Sequence, residues 1–263
     1  MPENLSSLCQ QTIQVVKNAG TFIQQESAKI SAQDIVTKEQ NSFVTYVDTT
    51  AEKMLVEQLS KLLPYAGFLT EEKTIAQASN PLRWIIDPLD GTTNYIYSLP
   101  CYSVSVALMD GDETLLGVVY EINRDECFYA WKGSDAFLNQ SKITVSNRPD
   151  VKSSLLATGF PYTEFSKLDD YLKAFRYLLQ NSRGIRRWGS AAVDLAYVAC
   201  GRFDAFFEFG LNAWDVAGGA FIVERAGGNV SVFSGEKNHL FGGSIVAGNP
   251  EVWKELQGLL DKL

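Results

Sequence analysis

An apolar run, Trp84-Ile85-Ile86, ends in Asp87-Pro88-Leu89-Asp90-Gly91-Thr92-Thr93-Asn94. Pro88 forces a bend and Asp90-Gly91 continues a tight turn, so two carboxylates are presented at the end of a rigid strand. Acidic groups held this close repel each other unless a cation lies between them. Hard oxygen ligands at such a place suit Mg²⁺, which takes carboxylates, waters and substrate phosphate into an octahedral shell. The backbone N–H groups and hydroxyls of Gly91-Thr92-Thr93 form a ready cradle for phosphate oxygens. Asp, Pro and Gly are also the commonest turn formers, and taken alone the segment reads equally well as a surface turn. Two other segments carry similar features. Leu69-Thr70-Glu71-Glu72 places two carboxylates directly after an apolar run, and Trp214-Asp215-Val216 places an aspartate at the start of a helix. A helix N-terminus already favours negative charge, so Asp215 reads equally well as a cap.

Other chemistries are narrowed by what the chain lacks. A single histidine, His239, removes histidine triads and multi-histidine metal sites, and this residue reads as part of a surface loop. The four cysteines, Cys9, Cys101, Cys127 and Cys200, form no C-x-x-C pair and read as buried thiols of a reducing compartment. A net charge of −8 opposes nucleic acid or an anionic membrane as partner, since both need a basic surface. It leaves room for an anionic small molecule, because bound divalent ions can make a site locally positive within an acidic protein. No run approaches the length of a membrane span, and the N-terminus lacks the pattern of a secretory signal, so a cytoplasmic location is expected.

The elements that must hold these residues follow from periodicity. Leu5, Leu8, Ile13, Val16, Ala19, Phe22 and Ile23 mark an amphipathic helix over 5–27, and a second helix is predicted from Thr50 to Leu63, before Pro64. Residues 66–70 and 82–87 read as strands, and Val104 to Trp131 as an antiparallel meander turning at Asp110-Gly111-Asp112 and Asn123-Arg124-Asp125. Beyond residue 150 the pattern alternates: strand 154–159, helix 167–181, helix 190–200, strand 203–208, helix 214–226, strand 229–233, helix 251–262. Such alternation predicts helices layered on sheets. With 263 residues and 46% apolar side chains, the chain reads as one domain with a soft boundary near 140–152. The clusters Phe203–Phe207 and Tyr97–Pro100 read as core packing. Glu208 stands out among the aromatics as a carboxylate that needs a polar partner once buried, and a substrate hydroxyl is a reasonable one.

Taken in order and spacing, Leu69–Glu72, Trp84–Asn94 and Trp214–Gly219 resemble the three signature segments of the inositol monophosphatase family. Val44–Asp48 and Gly189–Ala192 extend the resemblance over most of the chain. It implies an α+β fold, a layered α-β-α-β-α sandwich like those of the sugar phosphatases. It implies Mg²⁺ dependence, with two or three ions held by Glu71, Asp87, the carbonyl of Leu89, Asp90 and Asp215. Thr92 paired with Asp48 matches the family's water-activating residues, with Glu71 a second candidate. Asp90, Gly91, Thr92 and Thr93 match the phosphate-contacting turn. Gly189, Ser190, Ala191, Glu208 and Asp215 match positions that meet the substrate's hydroxyls, and Lys38 stands where a basic residue often lies near the site. One departure is visible: Thr70 occupies a position where many members have glycine. The expected reaction is hydrolysis of a small phosphorylated polyol or sugar, foremost myo-inositol 1-phosphate, by direct attack of water, with sensitivity to lithium and a homodimeric assembly.

Three other readings bear weighing. A related activity on fructose 1,6-bisphosphate, histidinol phosphate or 3'-phosphoadenosine phosphate uses the same motifs with different selecting loops. A haloacid-dehalogenase-like phosphatase has a similar Asp-x-Asp-Gly-Thr segment, but here two residues separate the aspartates where that family has one. In a third reading, from another class, the acidic cluster holds a structural cation in a non-catalytic regulatory protein.

Overall fold

The computed structural model describes residues 4–30, 32–39, 42–77, 80–161 and 165–262. Five layers stack in the order helix, sheet, helix, sheet, helix. The first holds α1 (Leu5–Glu26) and α2 (Tyr46–Leu62), joined through the short pair β1 (Val36–Glu39) and β2 (Ser42–Val44). Next comes a seven-stranded sheet running in sequence order: β3 (Gly67–Thr70), β4 (Leu82–Asp90), β5 (Ser103–Asp110), β6 (Glu113–Glu121), β7 (Glu126–Trp131), β8 (Ala136–Leu138) and β9 (Ser141–Ile143). A one-turn helix, α3 (Thr92–Ile96), joins β4 to β5. The second half supplies β10 (Leu155–Thr158), α4 (Leu168–Asn181), β11 (Gly184–Arg186), α5 (Ala191–Ala199), β12 (Ala205–Phe209), α6 (Ala213–Arg225), β13 (Asn229–Ser231), β14 (Ser244–Gly248) and α7 (Pro250–Leu260). Its strands form a five-stranded sheet in the order β11-β10-β12-β14-β13.

Alternation along the strands explains the layering. Trp84 and Ile86 pack with Val16, Ile23, Leu55 and Leu59 of α1 and α2, whereas Ile85, between them, packs with Ala213 and Ala217 of α6. The central layer, α5 and α6, is apolar almost all round because it is covered by both sheets, through Val119 and Phe128 on one side and Phe206 and Ile245 on the other. Tyr171 and Leu178 of α4 and Val252 and Leu256 of α7 close the outer face of the five-stranded sheet. Where α6 crosses the larger sheet, glycine meets glycine: a Cβ on Gly117 would lie 2.7 Å from the carbonyl oxygen of Gly218. No side chain fits there, so the helix lies closer to the sheet than larger residues would permit.

Several expectations need correction. Helix α2 begins at Tyr46, not Thr50, because Thr45 caps it with Asp48 in a reciprocal capping box. Tyr97 and Leu99 are not core residues; they are 68% and 53% exposed, while Phe203, Phe206 and Phe207 are buried as the aromatic pattern predicts. His239 is half-buried rather than on the surface, with Nδ1 enclosed and unbonded, and burial pushes its pKa down to about 4. Strands β1, β2, β8, β9, β11 and β14 escape the periodicity reading. β14 is paired on both sides, and its run Ile245-Val246-Ala247 lacks the alternation that marks a half-exposed strand. All four cysteines are free thiols, three of them buried. No helix among the described residues is long and apolar enough to cross a membrane.

Candidate active site

A break in strand pairing builds the floor of the site. Asp87 pairs with Ser105 and Asp90 with Ser103, so three steps on β4 match two on β5. Residues an odd number apart on a regular strand point to opposite faces; one extra residue at this bulge restores Asp90 to the face of Asp87. Pro88, which has no N–H to donate, lies within the irregularity. The Leu89 N–H donates to Asp87 Oδ1 at 3.0 Å, which fixes that carboxylate over the bend. Glu71 follows β3 and still pairs with β4 through its N–H to the Ile86 carbonyl, at 3.3 Å. Its carboxyl is in hydrogen-bonding contact with that of Asp87.

Asp90 and Asp215 each perform a structural task with one oxygen. Asp90 Oδ2 accepts from Ser190 Oγ at 2.6 Å and from the Ala192 N–H at 2.8 Å, which docks the N-terminus of α5 onto the turn. Asp215 Oδ2 accepts from the Asn212 N–H at 2.6 Å within the capping box of α6. Asp215 is therefore not the cap itself, which is Asn212, but the N3 residue that completes the capping box, and the same side chain also walls the pocket. Glu71, Asp87, Leu89, Asp90, Gly91, Thr92, Thr93, Gly189, Ala191, Glu208 and Asp215 line one cleft, joined by Phe43, Phe160, Arg187, Asn212 and Trp214. Ser190 lies just behind it, 1% exposed, as the N-cap of α5. The side chain of Lys38 is outside the described residues.

The electrostatics of this cleft are those of crowded acids. Burial, followed by the charges of Glu71, Asp90 and Asp215, pushes the Asp87 pKa well above the ordinary carboxylate range. Burial raises Asp90 to about 6, against the hydrogen bonds from Ser190 and Ala192 that lower it. Asp215 is likewise raised well above its ordinary value by burial and by the charges of Asp90 and Glu71. Such a set ionises readily only beside a cation. Among the described residues no three such side chains are gathered tightly enough to hold an ion unaided. The donor set is all oxygen, which fits Mg²⁺ and not a soft metal.

At one edge of the cleft, the Thr92 hydroxyl lies 3.1 Å from Asp48 Oδ1 and 3.0 Å from the Leu89 carbonyl. Asp48 is buried, and its Oδ2 accepts from the Thr45 N–H and hydroxyl at 2.9 and 2.6 Å. The capping box that starts α2 thus aims the other oxygen of Asp48 at Thr92. Gly91 adopts φ +96°, and a Cβ there would stand 2.9 Å from the Cys101 carbonyl, so the turn requires glycine. Asn94 ties the turn to the second half, its Nδ2 donating to the carbonyls of Cys101 at 2.8 Å and Trp188 at 2.9 Å. On the far wall, Glu208 is 5% exposed and burial pushes it up to about 8, opposed by the Arg187 guanidinium. Gly159 makes room for it: a Cβ there would fall 2.0 Å from the Glu208 carboxyl.

Sequence reasoning overlooked Glu52, Gly159, Arg187 and Asp194. Glu52 lies one helical turn after Asp48, at i+4, which places both on one face and could have drawn attention to it. Asp194 is buried on α5 with Oδ1 unbonded, and burial together with the charge of Glu208 raises its pKa well above the usual range.

The model of the inositol monophosphatase family matches residues 4–262. Nus factor SuhB of Pseudomonas aeruginosa is 41% identical over 249 residues, covering 93% of this chain and 92% of that protein. The crystal structure of extragenic suppressor protein suhB from Bartonella henselae superposes with a TM-score of 0.93 at 36% identity, over 98% of this chain and 99% of that one. The inositol monophosphatase structure from Anabaena (Nostoc) sp. PCC 7120 gives 0.87 at 33% identity, over 99% and 97%.

Proposed function

The chain belongs to the inositol monophosphatase family, and from that premise we propose that it hydrolyses a small phosphate monoester, foremost myo-inositol 1-phosphate, in a magnesium-dependent reaction without a covalent intermediate. One observation carries this reading: four carboxylates from three remote segments, Glu71, Asp87, Asp90 and Asp215, wall a single cleft beside the Thr92–Asp48 pair.

In this reading Glu71, Asp87, the Leu89 carbonyl, Asp90 and Asp215 hold the magnesium ions. Bound magnesium would lower the pKa of the attacking water and neutralise charge on the transferring phosphoryl and leaving oxygen. The chain's own groups do the rest. The turn at Gly91–Thr93 directs N–H groups and hydroxyls to the phosphate oxygens. Thr92 has one proton and two acceptors in reach; donating it to Asp48 leaves its lone pairs free to accept from water. Asp48, fixed by both donors of Thr45, is the terminal acceptor of that relay. Glu208 and the backbone near Gly189 and Ala191 meet the alcohol, with Arg187 moderating the charge of Glu208 and Ser190, behind them, fixing Asp90.

A panel of inositol, fructose, histidinol and nucleotide phosphates, assayed for phosphate release with and without Mg²⁺, tests the reading and ranks its alternatives. Release of phosphate with a single solvent oxygen and no trapped phosphoaspartate supports direct attack by water. Inhibition by millimolar lithium is expected, and sedimentation tests the homodimer. A second reading is favoured by the name Nus factor carried by the Pseudomonas relative: a Nus-factor role borne by the same fold. A panel that yields no phosphate at any Mg²⁺ concentration overturns the phosphatase and leaves that role standing. The expectation that nucleic acid is no partner rests on net charge alone, and a mobility-shift titration with RNA and DNA tests it.

A further inference from the structure

The segment that carries Glu71 is held from behind by a buried anion. Glu52, on α2, is fully buried and accepts four hydrogen bonds, none from a cation. Thr70 Oγ1 donates to its Oε1 at 3.0 Å; the Thr74 N–H and hydroxyl donate to the same oxygen at 2.7 Å each; and the Glu72 N–H donates to Oε2 at 2.7 Å. These partners flank Glu71 on both sides. Gln77 closes the segment on itself: its Oε1 accepts from the Thr70 N–H at 2.7 Å, and its Nε2 donates to Thr70 Oγ1 at 3.2 Å and to the Ile75 carbonyl at 2.8 Å. The bonds run in one direction, from Gln77 through the Thr70 hydroxyl to Glu52. Thr70, which departs from the glycine common at that position, is therefore the link between the two.

Glu71 is carried on the connecting segment between β3 and β4, the kind of element that is displaced most easily, and its carboxyl is in hydrogen-bonding contact with that of Asp87. A buried carboxylate with all its bonds directed into that segment opposes the displacement, because each backbone donor pulled away leaves buried charge unsatisfied.

We propose that Glu52 is a positioning residue for Glu71: through Thr70, Glu72 and Thr74 it holds the Glu71 carboxylate against Asp87, so that the pair is ready for a divalent cation. This rests on the metal-dependent reading above. Glu52→Gln keeps the volume but turns an NH₂ group toward a backbone N–H or hydroxyl donor, so at least one bond is lost.

The probe is Mn²⁺, followed by calorimetry and by the electron paramagnetic resonance of the free ion, together with amide hydrogen exchange at Glu72 and Thr74 and the Mg²⁺ dependence of phosphate release. For E52Q we expect faster exchange at those two amides, Mn²⁺ affinity lowered about 10- to 100-fold, and recovery of kcat at saturating Mg²⁺ with little change in KM for the phosphate ester. A residue that mattered only for folding would not shift the metal midpoint selectively. Thr70→Val, which removes a single hydroxyl, is the milder companion should E52Q fold poorly, and a smaller affinity loss in the same direction is expected. Unchanged Mn²⁺ affinity in folded E52Q or T70V, with the amides exchanging faster, overturns the proposal. Wild-type protein that takes up no Mn²⁺ overturns it together with the metal reading. Wild-type protein that binds Mn²⁺ but releases no phosphate overturns the phosphatase alone, and the affinity comparison still decides the role of Glu52.

Discussion

At the scale of single residues, the carboxylates of the cleft divide their oxygens between architecture and chemistry. Asp90 holds α5 with Oδ2 alone, and an asparagine that turns its carbonyl oxygen to that place retains both bonds. Asp90→Asn should therefore abolish phosphate release while leaving the thermal midpoint unchanged or raised, since one of several repelling buried charges is gone; near-normal activity at low Mg²⁺ contradicts the assignment. Gly159→Ala acts differently. Its methyl group would occupy the place of the Glu208 carboxyl, so either the strand or the acid must move. We expect a loss of about 1–3 kcal/mol in a urea melt and a rise in KM larger than any fall in kcat. The types and spacing of Asp87, Asp90 and Asp215 were legible because strand ends, turns and helix starts have local signatures. Glu52 and Gly159 were not, because their importance lies in what crosses from another element: a segment 20 residues away in one case, a carboxyl 49 residues away in the other.

At the scale of elements, the site depends on how closely α6 approaches the larger sheet. The contact of Gly117 with Gly218 leaves no space for a methyl group, and Asp215 lies one turn before it on the same helix. Gly117→Ala should lift that helix, lower stability by about 1–3 kcal/mol and weaken Mg²⁺ activation; a melt paired with a Mg²⁺ titration reads both. The long, periodic helices and the central meander could be located within a few residues because their buried faces repeat. The start of α2 was placed late, since the cap that begins it includes the polar residues Thr45 and Asp48, which carry no apolar period. Strand β14 was overlooked for the opposite reason: covered on both faces, it shows no contrast between one side and the other.

At the scale of the whole molecule, the cleft couples stability to pH and metal. Asp90 is raised from 3.8 to about 6 and Glu208 from 4.5 to about 8. A folded state that holds these protons more tightly than the unfolded chain gains stability that is complete below about pH 4 and lost as the pH rises through 6 and 8. Chelator-treated protein should accordingly melt at lower temperature at pH 8.5 than at pH 5. Magnesium competes with those protons, so its addition should raise the melting temperature more at pH 8.5 than at pH 5; an equal shift at both would count against carboxylates as the ligands. The layered plan also sorts the groups around the cleft. Asp48, Glu71, Asp87, Asp90 and Thr92, which face the phosphate in the proposed reaction, all precede residue 100, whereas Arg187, Gly189 and Glu208, which face the alcohol, come from the later half; Asp215 crosses this division, joining the acidic cluster from α6. Asp215 apart, bond breaking and partner choice are thereby written in separate stretches of the gene. Exchanging residues 155–212 with a relative of different preference should transplant the choice of alcohol while the cleavage step carries on as before.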